Sequence, residues 1–209
     1  MKWLYAFAIG VLVTAPCALA QTQLDDPDEA IKTYFWGDLY KNGGTSFFCR
    51  NKFDKKTVLY TESYVYGLNW VADSLRCGSQ RSCGRDDETF RRIASDLHNI
   101  YPAKALVELR RRNTKYEALG PSVQPDDCGI RSAFQVIEPP DVVKGNVARA
   151  IAYMHTTYDL PMIMPVATLK EWNRLDPPDE EEKARNDKIR DIEGSENPYI
   201  SNPSLIDNL

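Results

Sequence analysis

"IASDLHNIYPAKALVELRRRN", residues 93–113, is the stretch on which the reading of the whole chain turns. It sets one of only two histidines, His98, four residues before Pro102, with the consecutive arginines Arg110, Arg111 and Arg112 beyond them. The proline breaks the pattern at "NIYP", so residues 86–98 and 103–118 predict two helices flanking it. A histidine this close to an arginine block has two explanations. Either the segment is a solvated helix beside a buried, hydrogen-bonded core histidine, or it belongs to a site that handles phosphate.

Outward from that stretch, residues 24–41 predict a first helix, with Ile31, Tyr34, Phe35 and Leu39 near helical period behind the acidic "DDPDE". "GG" at 43–44 ends it. "SFFCRNKFDKKTVLYTESYVYGLNW" is rich in β-branched and aromatic residues and predicts a hairpin or two short strands, with "DKK" as the turn. "GPSVQPDDCG" reads as loop and "SAFQVIEPP" as one short strand ended by prolines. Val147, Ile151, Met154 and Tyr158 then mark a helix over 145–158. Further helices are expected over Pro165–Leu175 and Asp179–Ile192, followed by an extended tail. Trp70 and Trp172 read as core anchors, and His155 as structural or exposed. The class is α+β, a helix-rich single domain, and 209 residues suffice for a real core.

"MKWLYAFAIGVLVTAPCALA", residues 1–20, carries a lysine, an apolar run and a small-residue ending, the pattern of a signal peptide cut after Ala20. The mature part, 21–209, is expected to be secreted or periplasmic. No later stretch approaches the roughly 20 apolar residues of a membrane helix, so no membrane partner is expected after cleavage. Export places the remaining cysteines, Cys49, Cys77, Cys83 and Cys128, in an oxidising compartment. Four cysteines allow three pairings, and spacing does not choose among them. Cys77 and Cys83 enclose only "GSQRS", which favours Cys77–Cys83 with Cys49–Cys128. No Cys/His array has metal-ligand spacing.

The net charge of −4 lacks the basic excess usual for a nonspecific nucleic-acid binder. The charge is uneven, however. Residues 76–112 hold a run of arginines that includes Arg81, Arg91, Arg92 and Arg110–Arg112, while the acids gather in "DPPDEEEKARND". There is no glycine-rich phosphate loop and no nucleophile-elbow pattern.

"SDLHNIYP" followed by "VELRRRN", then "GNVARAIAYMHTTYDL", "LKEWNRLDPPDEEEKARNDKI" and "GSENPYI", resembles the bacterial endonuclease I family over about residues 46–200. "FFC" stands where the family has "FYC", and "CGSQRSC" takes the place of its arginine-bearing cysteine loop. The resemblance implies a ββα-metal (His-Me) finger, nuclease action on DNA, one Mg²⁺ and a monomer. It gives His98 the part of a scaffold histidine rather than a base. Family cysteines fall on Asn51, Tyr64 and Lys183 here, and the chain-terminal one is missing; the loss leaves the four that fit the favoured pairing.

In such an enzyme a finger histidine acts as general base on water. A glutamate before it and an asparagine on the next helix hold the metal, which stabilises charge on the phosphate and the leaving oxygen. The family writes the first pair as "WEHVVPA". Setting its tryptophan on Trp70 of "NWVADSL" puts Val71 and Ala72 at the glutamate and histidine. An alternative register sets Glu62 of "YTESY" at the glutamate and Ser63 at the histidine. The family's "EVNGDRGN" falls on "LVELRRRN", so Glu108 replaces the metal-binding asparagine, Leu109 and Arg110 replace Gly and Asp, and Arg111 and Asn113 match. The loop arginine falls on Gln80, with Arg81 beside it.

Two functions follow. In the first, the chain is an exported nuclease-fold protein that no longer cuts and binds nucleic acid, DNA first of all, through Gln80, Arg81, Arg110, Arg111 and Arg112. The alternative is a working Mg²⁺-dependent endonuclease using Glu62 as its catalytic carboxylate, Glu108 as metal ligand and Arg81 on the phosphate. The first is preferred.

Overall fold

A computed structural model describes residues 21–209; the signal-peptide expectation for 1–20 lies outside the described residues. Pro27–Glu29 open α1, with the Asp26 carboxylate accepting from the amides of Asp28 and Glu29, and the helix continues π-wound through Ala30–Leu39. The Tyr40 amide closes it on the Phe35 carbonyl. The expected first helix is therefore present.

The stretch expected to form a hairpin or two short strands holds two short strands that do not pair with each other. β1 (Gly44–Thr45) pairs with β2 (Lys52–Phe53), while β3 (Tyr60–Tyr64) pairs antiparallel with the distant β4 (Ile100–Lys104) in the register Glu62↔Pro102, Ser63↔Tyr101. "DKK" bends the chain but does not join paired strands. The deciding factor is burial: one face of β3 carries Ser63 into the interior, where a neighbouring strand and a helix must cover it. Pro102 costs nothing in this ladder, because the two-stranded sheet leaves one edge free.

Between β3 and β4 lie α2 (Leu68–Leu75), α3 (Gln80–Asp86), α4 (Glu88–Ser95) and a 3₁₀ turn at Leu97–Asn99. The single helix expected over 86–98 is thus divided, and Asp87 and Asp96 each cap the turn that follows them. The helix expected over 103–118 is shorter: α5 spans Ala105–Arg111, because β4 takes the residues before it. Thr114 accepts the end of that helix, donating N–H and hydroxyl to the Arg111 carbonyl, and Tyr116 turns inward on β5 (Lys115–Tyr116). The single strand expected near 132–140 is two, β6 (Arg131–Ala133) and β7 (Val136–Glu138), with β5 parallel to β7.

The C-terminal half follows the periodicity closely. α6 (Lys144–Tyr158) buries Val147, Ile151 and Met154 against Leu169 and Trp172 of α7 (Val166–Leu175). Gly145 permits this approach, since a Cβ there would stand 1.8 Å from the Asp176 carbonyl oxygen. α8 (Glu180–Glu193) ends at Gly194 with φ +73°, a left-handed cap suited to glycine. The tail is not extended: α9 (Pro198–Ser201) and a 3₁₀ turn at Pro203–Asn208 bury Ile200 and Ile206. Asn197 before Pro198 was a readable start signal, a cap followed by proline at the first helical position. The cysteines pair as favoured, Cys49 with Cys128 and Cys77 with Cys83.

Candidate functional site

β3, β4 and α5 form a strand–strand–helix unit, and its centre is occupied by a guanidinium. Arg111 reaches from the end of α5 back to β3 and is only 2% exposed. Its Nη2 donates to Ser63 Oγ at 2.6 Å and to the Tyr64 carbonyl at 2.8 Å. Nε donates to Glu108 Oε2 at 2.7 Å, and Nη1 to the Tyr116 hydroxyl at 3.1 Å. The Phe48 ring lies 5.2 Å below the guanidinium carbon. Burial by itself lowers the pKa of such a group, but Tyr116 and Glu108 outweigh it and hold the pKa above the usual arginine value. The cation is locked in place.

This splits the arginine block. Arg110 and Arg112 face solvent, whereas Arg111 spends its donors inside the protein and has no surface to offer a phosphate. Expecting all three on one binding face is corrected here, because a seven-residue helix places consecutive residues about 100° apart.

The two carboxylates singled out in the sequence are not brought together. Glu108 is committed to Arg111. Glu62, next to Ser63 on a strand, points to the opposite face, where it accepts from Trp36 Nε1 at 3.4 Å and lies 4.0 Å from Lys56. A divalent cation needs several oxygen ligands converging on one point. One carboxylate neutralised by a guanidinium and another on the far face do not provide that. Among the described residues no group of three or more His, Cys, Asp or Glu could hold a metal.

Of the two registers, only the Glu62/Ser63 one falls on the strand that pairs with β4 and leads into α5. Val71 and Ala72 lie on α2 instead, buried in the main core, where a glutamate and a histidine would have no access to substrate. Trp70 packs partly buried against that core, with Lys115 Nζ 4.6 Å over its ring.

Gln80 and Arg81 stand on α3 inside the Cys77–Cys83 loop. Gln80 Nε2 donates to Asn69 Oδ1, and Asn69 Nδ2 donates to Asn113 Oδ1, so a polar row joins the cysteine loop to the segment after α5. That row brings Gln80 into the same neighbourhood as Arg112. Arg81 opens instead on a cleft of about 920 Å³, opposite Asp25, Asp26 and Asp28 and beside Arg91. Sequence reasoning missed Asn69 and the Ser63–Arg111–Tyr116 cluster. The Glu108/Arg111 spacing of three residues on a helix was the one available signal.

The histidines are scaffold. His98 is fully buried, its Nε2 3.0 Å from the Ser195 carbonyl oxygen, and burial pushes its pKa down to about 3. Neighbouring Asp96 is raised by burial to about 6, although the Tyr158 and Tyr153 hydroxyls donate to it. His155 bonds the Leu160 carbonyl at the end of its own helix.

A helix-rich α+β domain, stapled by two disulfides and carrying a polar strand–helix cluster, is the class of protein that these features define. Residues 36–204 match the Endonuclease I family, and the chain belongs to it. It is 35% identical over 128 residues to an extracellular deoxyribonuclease of Aeromonas hydrophila, covering 59% of this chain and 55% of that protein. Endonuclease-1 of Buchnera aphidicola subsp. Acyrthosiphon pisum is 29% identical over 194 residues, 78% of this chain and 76% of the relative. An extracellular ribonuclease of Bacillus amyloliquefaciens is 31% identical over 134 residues, 55% and 46% respectively. The chain spans about half the length of the Aeromonas and Bacillus proteins that it matches.

Proposed function

We propose that this chain is a secreted or periplasmic, monomeric protein of endonuclease I fold that binds the phosphodiester backbone of nucleic acid, DNA foremost, and does not cut it. In this reading β3, β4 and α5 are the ββα finger, and Ser63 stands where the family's general base belongs. The observation that carries it is the Arg111 guanidinium between Ser63 and Glu108. A serine hydroxyl does not take a proton from water near neutral pH, and this one already accepts from Arg111. Loss of a general base alone costs roughly 10²–10⁴ in rate. Endonuclease I nucleases are typically dependent on a divalent metal, for which Mg²⁺ is the expected ion; the one helix carboxylate in position here is paired with a cation instead. Binding falls to Gln80, Arg81, Arg110 and Arg112, with Arg111 holding α5, which carries Arg110 and leads into Arg112, on β3. The relatives' names, two extracellular enzymes among them, agree with the export expected from residues 1–20.

A plasmid-nicking assay tests the chemistry. Purified mature protein is expected to match a buffer control with or without Mg²⁺. Metal-dependent cutting that disappears on Glu108→Ala or Glu62→Ala would establish the rearranged nuclease in its place. Duplex binding is expected to be weak and to fall with salt. The Arg110→Ala/Arg112→Ala double variant should reduce the log–log salt slope by about 2, one counterion contact for each arginine. An unchanged slope would make both arginines a solvated face.

A further inference from the structure

A different surface lies where the loop before β3 meets the exposed side of α5. Eight large apolar side chains are exposed among the described residues, and half of them gather here: Val58 at 92%, Leu59 at 68%, Leu106 at 69% and Leu109 at 60%. Val58, Leu59 and Leu106 line one shallow groove, and Leu109 continues the apolar row one turn along α5. Leaving aside the inward-turned Arg111–Glu108 pair, residues 54–60 and 104–112 contain five Lys/Arg against one acid, in a chain whose net charge is −4. Lys104 lines the groove itself, and the exposed Lys55 lies three residues before Val58 in the chain.

Part of the backbone of this tip, at Leu59 and Tyr60, is closed internally. The Leu59 amide donates to Thr57 Oγ1 at 3.3 Å, and the Tyr60 amide to the Thr57 carbonyl at 3.2 Å. The Leu59 carbonyl accepts from the Ala105 amide at 2.9 Å, and the Tyr60 carbonyl from Lys56 Nζ at 2.8 Å. Those bonds lower the cost of bringing Leu59 and Tyr60 to a less polar phase, where each unsatisfied group is costly.

We infer that this tip docks on an anionic lipid surface, with Val58, Leu59, Leu106 and Leu109 entering the headgroup–acyl boundary and the cations remaining among the headgroups. Long Lys and Arg side chains suit that level, with apolar stems below and charged ends above. A second copy is disfavoured because two cationic collars would meet. Nucleic-acid bases are disfavoured because they stack on aromatic faces, and here the groups are aliphatic. The one aromatic at the groove, Tyr60, already stacks on Phe53 at 4.6 Å.

Flotation of the mature protein with phosphatidylglycerol–phosphatidylcholine vesicles and with pure phosphatidylcholine vesicles tests this. Binding is expected on the anionic vesicles, weakened by salt, and absent from the neutral ones. Val58→Ser/Leu59→Ser should lower partitioning on the order of tenfold, and Lys55→Gln about fivefold. All three side chains are exposed, so the variants should fold, which circular dichroism checks. Failure to bind anionic vesicles at low salt overturns the inference, as does binding that these variants leave unchanged. Loss of duplex binding in Val58→Ser/Leu59→Ser with no vesicle binding by the parent would overturn it in favour of nucleic acid.

Discussion

Two buried arginines, one in each half of the molecule, use the same chemistry for different ends. Arg149 on α6 is fully buried. Its Nε donates to Glu182 Oε1 at 2.9 Å and its Nη2 to Oε2 at 2.5 Å, while Nη1 reaches Asn173 Oδ1 and the Asp176 carbonyl. Those partners come from α7, α8 and the turn between them, so one side chain ties three helices together. Arg111 draws its carboxylate from one turn earlier on its own helix and spends the rest of its fork on β3 and β5. The first arrangement is scaffold. The second fills the interior of the strand–helix unit and engages Glu108 through Oε2, on the face of β3 away from Glu62. A buried guanidinium must find hydrogen-bond acceptors, and where its carboxylate sits decides whether the pair ties several helices together or stays within one strand–helix unit.

The contrast is open to measurement, beginning with its largest effect. Arg149→Met leaves Glu182 as a lone buried carboxylate and is expected to destabilise the fold by about 3–5 kcal/mol in urea unfolding. Adding Glu182→Leu should recover most of that, and a small loss in the single variant would remove Arg149 from its structural role. Arg111→Met should cost less, about 2 kcal/mol, because Glu108 lies near enough to the surface to regain water. Equal losses at the two sites would end the distinction between them.

The smallest effect is one of pH, around His98. The folded pKa of His98 is lowered to about 3, so the unfolded chain binds its proton first below about 6.5 and the fold loses stability on acidification through that window. Asp96, raised to about 6, acts in the opposite sense: its contribution is present below its unfolded value of about 3.9 and is lost as pH rises through 6. The two oppose each other between pH 4 and 6. His98→Gln keeps a donor for the Ser195 carbonyl but removes one side of the balance. From pH 6 to 5 it should therefore gain stability relative to the parent, by about 1.4 kcal/mol per pH unit at most. Parallel stability–pH curves for the two proteins would show that His98 is not held neutral by burial.

Legibility differed between the halves for a physical reason. α6 and α7 could be read because their contacts repeat along the chain every three or four residues, and a helix satisfies its own backbone. The cysteine pairing could be favoured because one loop was short enough to close easily. Residues 46–70 form the two short strands that were one of the two expectations, though not paired as a hairpin, and β4 falls where a break and the start of a helix were expected. Strand hydrogen bonds go to whichever partner tertiary packing supplies, and here that partner is some forty residues away.

The sequence by itself determined the α+β class, the C-terminal helices, the family resemblance and the absence of a histidine from the first 97 residues, because composition, periodicity and motif order are properties of the chain. Only the tertiary structure decided which of the two registers weighed for the family's Glu-His motif lies on a strand. It also decided that Arg111 turns inward while Arg110 and Arg112 do not, and that Glu62 and Glu108 face apart. Those are questions of direction: a side chain's bearing follows from the strand's pleat, the helix's rotation and the partner that burial demands, none of which is written locally.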